Sequence, residues 1–302
     1  MELVMSIKKQ YQIFGLAAVL FILIMSFGTA FDLEISHTVM DQKSWFGAIF
    51  QMIGILPMYL VLMVSGEIGL AYAWRVSNNR LFSGSLVVGS GALTLWQIQK
   101  GLKELLSYGG AIIHNIKSGQ PIGVANSDVQ ASPFSPGLTF TLTAIVFVIF
   151  TTLTQRWLKQ KSIQQLEALL LLAIFATVTV LMAMSVNGAL KNAWGRARPY
   201  EIIHNGARFT NWYTMNGANG HKSFPSGHAM AAALTVVLAW FANGNWRRFW
   251  WFGGIGITVI VDLSRVRVGA HFLTDVTFST CLTFMIIYVM WEIYQHIKSM
   301  KR

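Results

Sequence analysis

The sequence has 302 residues, 54% of them hydrophobic and only 12% charged, with a mean hydropathy of +0.51. A soluble domain carries about twice that share of charge, so composition excludes an ordinary water-soluble fold and predicts an integral membrane protein. The excess of 23 Lys+Arg over 12 Asp+Glu would suit nucleic acid. Much of that excess, however, lies in short segments beside apolar runs, where it encodes orientation in a bilayer; no nucleic-acid partner is expected.

A membrane-spanning helix needs about 20 mostly apolar residues. Runs of that kind lie near 13–31, 46–74, 81–98, 137–157, 165–190, 229–243, 249–263 and 276–294. The two near 229–243 and 249–263 are short and should extend into their flanks, and 81–98 is rich in Gly and Ser. The first run follows Lys8-Lys9 and ends near a "GTA" resembling a cleavage site, but it exceeds the usual 7–15 apolar residues of a signal peptide, so an uncleaved anchor is expected. Eight spans with both termini inside put Lys8-Lys9, Arg75/Arg80, Arg156/Lys159/Lys161, Arg247-Arg248 and Lys298/Lys301/Arg302 on one side, satisfying the positive-inside rule at every turn. The opposite side receives a loop near 99–136, with a linker-like stretch at 118–137, and another near 195–225. The lone cysteine, Cys281, can form no intrachain disulfide and is expected to pack as a small hydrophobe.

This topology brings three polar clusters to one face. In "KNAWGRARP", seven positions separate Lys191 from Arg198, about two helical turns. Pro199 disfavours helical geometry at Arg198, which suggests a helix ending in basic groups; a pair of snorkelling cations would read the same way. In "PSGH", Ser226 is a preferred N-cap, and a helix starting there aims free N–H groups outward beside His228. Gly227 shares this turn. The plainer account is a capped helix with an incidental histidine. In "SRVRVGAHFLTD", His271 and Asp275 are spaced i,i+4, which would put both on one helical face. The carboxylate could then accept from Nδ1–H and present Nε2 as nucleophile or base. Arg265 could fold back to clamp a phosphate, although a membrane-edge salt bridge would explain one pair of the set. Cations, imidazoles and a helix N-terminus at one face suit phosphoryl chemistry, while the lack of a Cys/His cage or paired carboxylates speaks against a metal.

Together the clusters resemble the signature of the type 2 phosphatidic acid phosphatase (PAP2) family, K-x6-R-P, then P-S-G-H, then S-R-x5-H-x3-D. They match it as Lys191…Arg198-Pro199, Pro225-Ser226-Gly227-His228 and Ser264-Arg265…His271…Asp275. The resemblance implies a metal-independent, cofactor-free phosphatase working through a phosphohistidine. His271 would attack phosphorus with Asp275 in support, and His228 would protonate the leaving oxygen and then activate water. Lys191, Arg198, Arg265 and the Ser226–Gly227 turn would hold the phosphoryl oxygens. It also implies an all-α membrane bundle with a six-helix core. This chain departs from that core by two extra spans, 81–98 and 137–157, which read as a helix pair inserted at 81–160 of a single domain covering 1–302.

Four expectations follow. The site opens at the outer face of the cytoplasmic membrane. The substrate is a lipid phosphate or diphosphate from the bilayer, with undecaprenyl diphosphate, phosphatidylglycerol phosphate and phosphatidate as candidates. In the loop between the first two motifs, which carries His204, Arg208, Trp212, Tyr213 and His221, Lys222 is the best placed to reach phosphate. Arg196 and Arg267 should snorkel, and Asp262, three residues before Arg265, should form an ion pair with it. A lipid phosphotransferase, or a non-enzymatic transporter or scaffold, remains as an alternative.

Overall fold

The computed structural model describes residues 7–76, 79–123 and 134–300. Lys301, Arg302 and residues 124–133 of the linker-like stretch lie outside the described residues. Within them the chain is helical, without strands: α1 (Ile7–Val39), α2 (Trp45–Ile53), α3 (Leu56–Arg75), α4 (Arg80–Lys117), α5 (Pro136–Lys159), α6 (Ile163–Trp194), α7 (Pro199–Asn205), α8 (Gly227–Ala233) with a 3-10 continuation (Leu234–Trp240), α9 (Gly244–Arg267) and α10 (Leu273–Met300). Seven helical stretches among the described residues are long and apolar enough to cross a membrane, so the protein is a multi-pass membrane protein. Local signals start the helices where polar residues can cap free N–H groups, as the Ser162–Gln165 capping box does for α6 and Ser135 does for α5.

The eighth expected span, near 229–243, is instead the short apolar helix Gly227–Trp240. Its brevity has a physical reason. Ala229, Ala231, Ala232, Ala233, Leu234 and Val237 are completely buried, because α3, α6, α9 and α10 surround this segment. A helix enclosed by protein need not match the hydrocarbon thickness that sets the length of a lipid-facing one. The outer helices show the reverse pattern: Leu20 and Leu23 on α1 and Val148 and Leu153 on α5 are exposed, as expected where the surrounding solvent is lipid.

The expected loop near 99–136 is a second correction, because α4 continues as helix to Lys117. At about 1.5 Å per residue it exceeds the roughly 30 Å hydrocarbon thickness by nearly a factor of two. Hydropathy stops signalling at the edge of the lipid, whereas helix-forming residues continue beyond it. Lys100, for example, turns back over the Trp96 ring at 4.0 Å. Small residues let α4 lie close along α3, with Gly66 and Gly69 facing Ser90 and Thr94, and Gly101 resting on Tyr59.

Glu67 of α3 is fully buried and accepts hydrogen bonds from Thr151 and Gln155 of α5, both at 2.7 Å. This acid therefore ties the peripheral α5 to the bundle. Glu67→Ala leaves both donors short of an acceptor, and a loss of about 1–3 kcal/mol is expected, read as a lower unfolding midpoint in micelles.

Candidate functional site

The site is built where α6, α8, α9 and α10 meet at one end of the bundle. Gly195 closes α6 in the left-handed conformation (φ 51°), and its N–H bonds to the Lys191 carbonyl. A side chain there would be strained and would also collide with the Gly217 carbonyl. The turn sends residues 196–198 across the top of the bundle. Arg198 caps the start of α7, with Pro199 in the first helical position that suits it, and its N–H bonds to Glu201 at 2.7 Å.

Ser226 caps α8, its hydroxyl accepting from the Ala229 N–H at 3.3 Å. The Ser226 N–H reaches the Asp275 carbonyl, and its own carbonyl accepts from Ser279 at 2.6 Å and Asn187 at 3.4 Å. The backbone of the turn is thereby fixed to α6 and α10. A Cβ on Gly227 would lie 3.6 Å from Lys191 Nζ, so the second cluster sits directly against the first. The buried His228 places Nε2 at 3.0 Å from the Gln51 carbonyl on α2.

Arg265 lies in the last turn of α9, which ends at the left-handed Gly269 (φ 70°). Its carbonyl accepts from the N–H groups of Ala270 and His271, so the turn at Gly269 brings His271 back beside the helix end. Arg265 is 3% exposed and donates from Nη1 to Gln51 Oε1 at 2.6 Å. Its Nε has no partner among the described residues. Gln51 therefore holds both His228 and Arg265, and no motif marked it in the sequence.

The relation between His271 and Asp275 differs from the expected one. His271 precedes α10 rather than sharing a helical face with Asp275. Its Nδ1 lies 2.6 Å from the Ser223 carbonyl and 3.8 Å from Asp275 Oδ2, beyond hydrogen-bond reach. Asp275 instead accepts from Ser223 Oγ at 2.5 Å, from the Phe272 N–H at 2.9 Å and from Arg196 at 2.6 Å. It thus acts on His271 through Ser223, and the imidazole Nε2 is left without a hydrogen-bond partner among the described residues.

Arg196 does not snorkel. It is completely buried and pairs with Asp275 and, at 3.0 Å, with Asp32 of α1. Asp32 also accepts from the Thr274 hydroxyl and N–H. No local pattern signals this network, since Asp32 and Arg196 are 164 positions apart. Arg267 instead bridges to Asp41 and the Val39 carbonyl, both at 2.7 Å. Asp262 forms no ion pair with Arg265: it accepts only from Thr280, at 2.7 Å, across to α10.

Lys191, Arg198 and Arg265 all act electrostatically on His271, and Arg265 and Lys191 act on His228 as well. None of the three cations has a carboxylate ion-pair partner among the described residues. Burial, with these cations nearby and Asp275 only partly opposing them, pushes the His271 imidazole down to about 3. It is therefore neutral, as a nitrogen nucleophile must be. Lys222 turns its exposed side chain outward and gives its carbonyl to Lys191 Nζ at 3.4 Å. Arg208 and His221 line a separate polar cup of about 350 Å3 with Asn216 and Asn219. Trp212 anchors this loop to α1 through Thr29 at 2.7 Å. No cluster of three or more His, Cys, Asp or Glu side chains able to hold a metal occurs among the described residues.

Residues 167–299 match the family model of the PAP2 superfamily. The match covers all three clusters and leaves α1 to α5 outside it. No curated protein and no solved structure matches the chain.

Proposed function

We propose that this membrane protein, whose residues 167–299 match the family model of the PAP2 superfamily, is a phosphatase that hydrolyses a lipid phosphate or diphosphate through a phosphohistidine on His271. One observation carries this reading: the Ser223 carbonyl holds His271 by Nδ1, its Nε2 has no hydrogen-bond partner among the described residues, and Lys191, Arg198 and Arg265, which act on it electrostatically, have no carboxylate ion-pair partner there. Phosphoryl transfer asks chiefly for positioning and for stabilisation of spread negative charge, and this arrangement supplies both.

In the first step Nε2 of His271 bonds to phosphorus as the bond to the leaving oxygen breaks. The Ser223 carbonyl holds Nδ1–H, so the ring keeps its orientation, and Asp275 holds Ser223. His228 delivers a proton to the leaving oxygen. With its Nε2–H bonded to the Gln51 carbonyl, the proton it gives comes from Nδ1, so His228 enters this step as the imidazolium, which the bound phosphoryl anion favours; the leaving group keeps that proton and Nδ1 is left empty. In the second step His228 takes a proton from water, which attacks phosphorus and frees His271. Lys191, Arg198, Arg265 and the N–H groups at Gly227 hold the phosphoryl oxygens. The proposed site opens at the outer face of the cytoplasmic membrane, where a lipid headgroup reaches it sideways; the basic segments beside the apolar runs support this orientation if the enclosed helix Gly227–Trp240 is counted as a crossing. Undecaprenyl diphosphate, phosphatidylglycerol phosphate and phosphatidate all present the required group.

Purified protein is expected to release inorganic phosphate from at least one member of a panel of lipid phosphates and diphosphates. Orthovanadate should inhibit and EDTA should not. Transfer of the phosphoryl group to a second lipid without phosphate release would mark a phosphotransferase, and strong EDTA sensitivity would overturn the metal-independent mechanism.

A further inference from the structure

We infer that Tyr108, carried by α4 from outside the PAP2-matched region, contacts the phosphoryl group of the substrate through its hydroxyl, on the His228 side of the site. The inference rests on the phosphatase reading for its substrate, but Tyr108 itself lies outside the three motifs. The Tyr108 ring meets the His228 ring edge-on, with centroids 5.8 Å apart and planes at 76°. Arg265 and Arg198, two of the cations assigned to phosphate, both act electrostatically on Tyr108.

The hydroxyl has no hydrogen-bond partner among the described residues, whereas the serine hydroxyls of the site are engaged: Ser223 with Asp275, Ser226 with Ala229, and Ser279 with Ser226. Guanidinium groups only donate, so neither arginine can accept its proton, and the Glu104 carboxylate one turn earlier on α4, which also acts electrostatically on Tyr108, makes no hydrogen bond to it. A phosphoryl oxygen drawn in by those arginines can. The resulting hydrogen bond, made to an anion, is of the stronger kind.

The placement of Tyr108 is built rather than incidental. Gly101 packs closely on Tyr59 of α3, and Gly109 lies against Met52 of α2, whose Sδ a Cβ there would meet in ordinary van der Waals contact. These contacts fix the far half of α4 along α3 and α2, and α2 also supplies Gln51 to His228 and Arg265. The extension of α4 beyond the hydrocarbon thickness thus forms one wall of the site, which the matched region alone leaves open.

The test uses the full-length protein in micelles and the variant Tyr108→Phe, which keeps the ring against His228 and removes only the hydroxyl. Two quantities are measured: kcat/KM for a lipid phosphate that the unaltered protein hydrolyses, and the affinity for orthovanadate by calorimetry. Loss of a hydrogen bond to a charged group predicts a fall of about 10- to 100-fold in each, with an unchanged unfolding midpoint. Orthovanadate affinity within about twofold of the unaltered protein overturns the inference, as does failure of the unaltered protein to bind orthovanadate. If the protein releases no phosphate yet binds orthovanadate through Tyr108, the inference stands and the phosphatase reading falls.

Discussion

His271→Ala is expected to abolish phosphate release while leaving the protein folded. Removal of a covalent nucleophile ordinarily costs about 10^4-fold or more in kcat, because the residues that remain can bind substrate without offering a bond to it. His271 is positioned by contacts that the substitution does not break elsewhere: the Ser223 hydroxyl stays on Asp275, and Arg196 stays between two carboxylates. The variant should keep its orthovanadate affinity within an order of magnitude, since Lys191, Arg198 and Arg265 remain. Rapid quenching of the unaltered protein with labelled substrate should trap an acid-labile, alkali-stable phosphoprotein, absent from His271→Ala. Full phosphate release by the variant would remove the phosphohistidine, and no release by the unaltered protein from any lipid phosphate tested would favour a transporter or scaffold.

Arg196→Ala is expected to have the largest effect on stability. It leaves Asp32 and Asp275, both almost wholly buried, without a countercharge. Breaking a buried pair from one side costs about 3–5 kcal/mol, and here one guanidinium serves two carboxylates. The unfolding midpoint in micelles should fall sharply. Activity should fall with it, because Asp275 orients Ser223 and Ser223 orients His271. Adding Asp32→Asn to Arg196→Ala removes one stranded charge and should recover part of the lost stability. If Arg196→Ala unfolds at the temperature of the unaltered protein, the network has no structural role.

How much of this was legible in the sequence depended on which forces leave a local mark. The spanning helices were legible because hydrocarbon demands an unbroken apolar run, and Lys191, His228 and His271 stood out as candidates because their spacing within short stretches is distinctive. What escaped depended on partners far away in the chain. Arg196 reads as an interfacial cation until Asp32 is brought to it from α1. Nδ1 of His271 reads as a donor to Asp275 until the 223–228 turn brings a carbonyl nearer. The reach of α4 escaped because Lys100, Lys103 and Glu104 look like a loop to a hydropathy window while remaining compatible with a helix.

The enclosure of residues 229–239 bears on how the protein can be handled. The helix that carries His228 touches other helices and never the annular layer, so replacing native lipid with detergent perturbs the rim of the molecule, α1 and α5, before it perturbs the catalytic geometry. Turnover of a short-chain, water-dispersible substrate should therefore survive solubilisation, while any dependence on membrane composition should appear in the delivery of long-chain substrates.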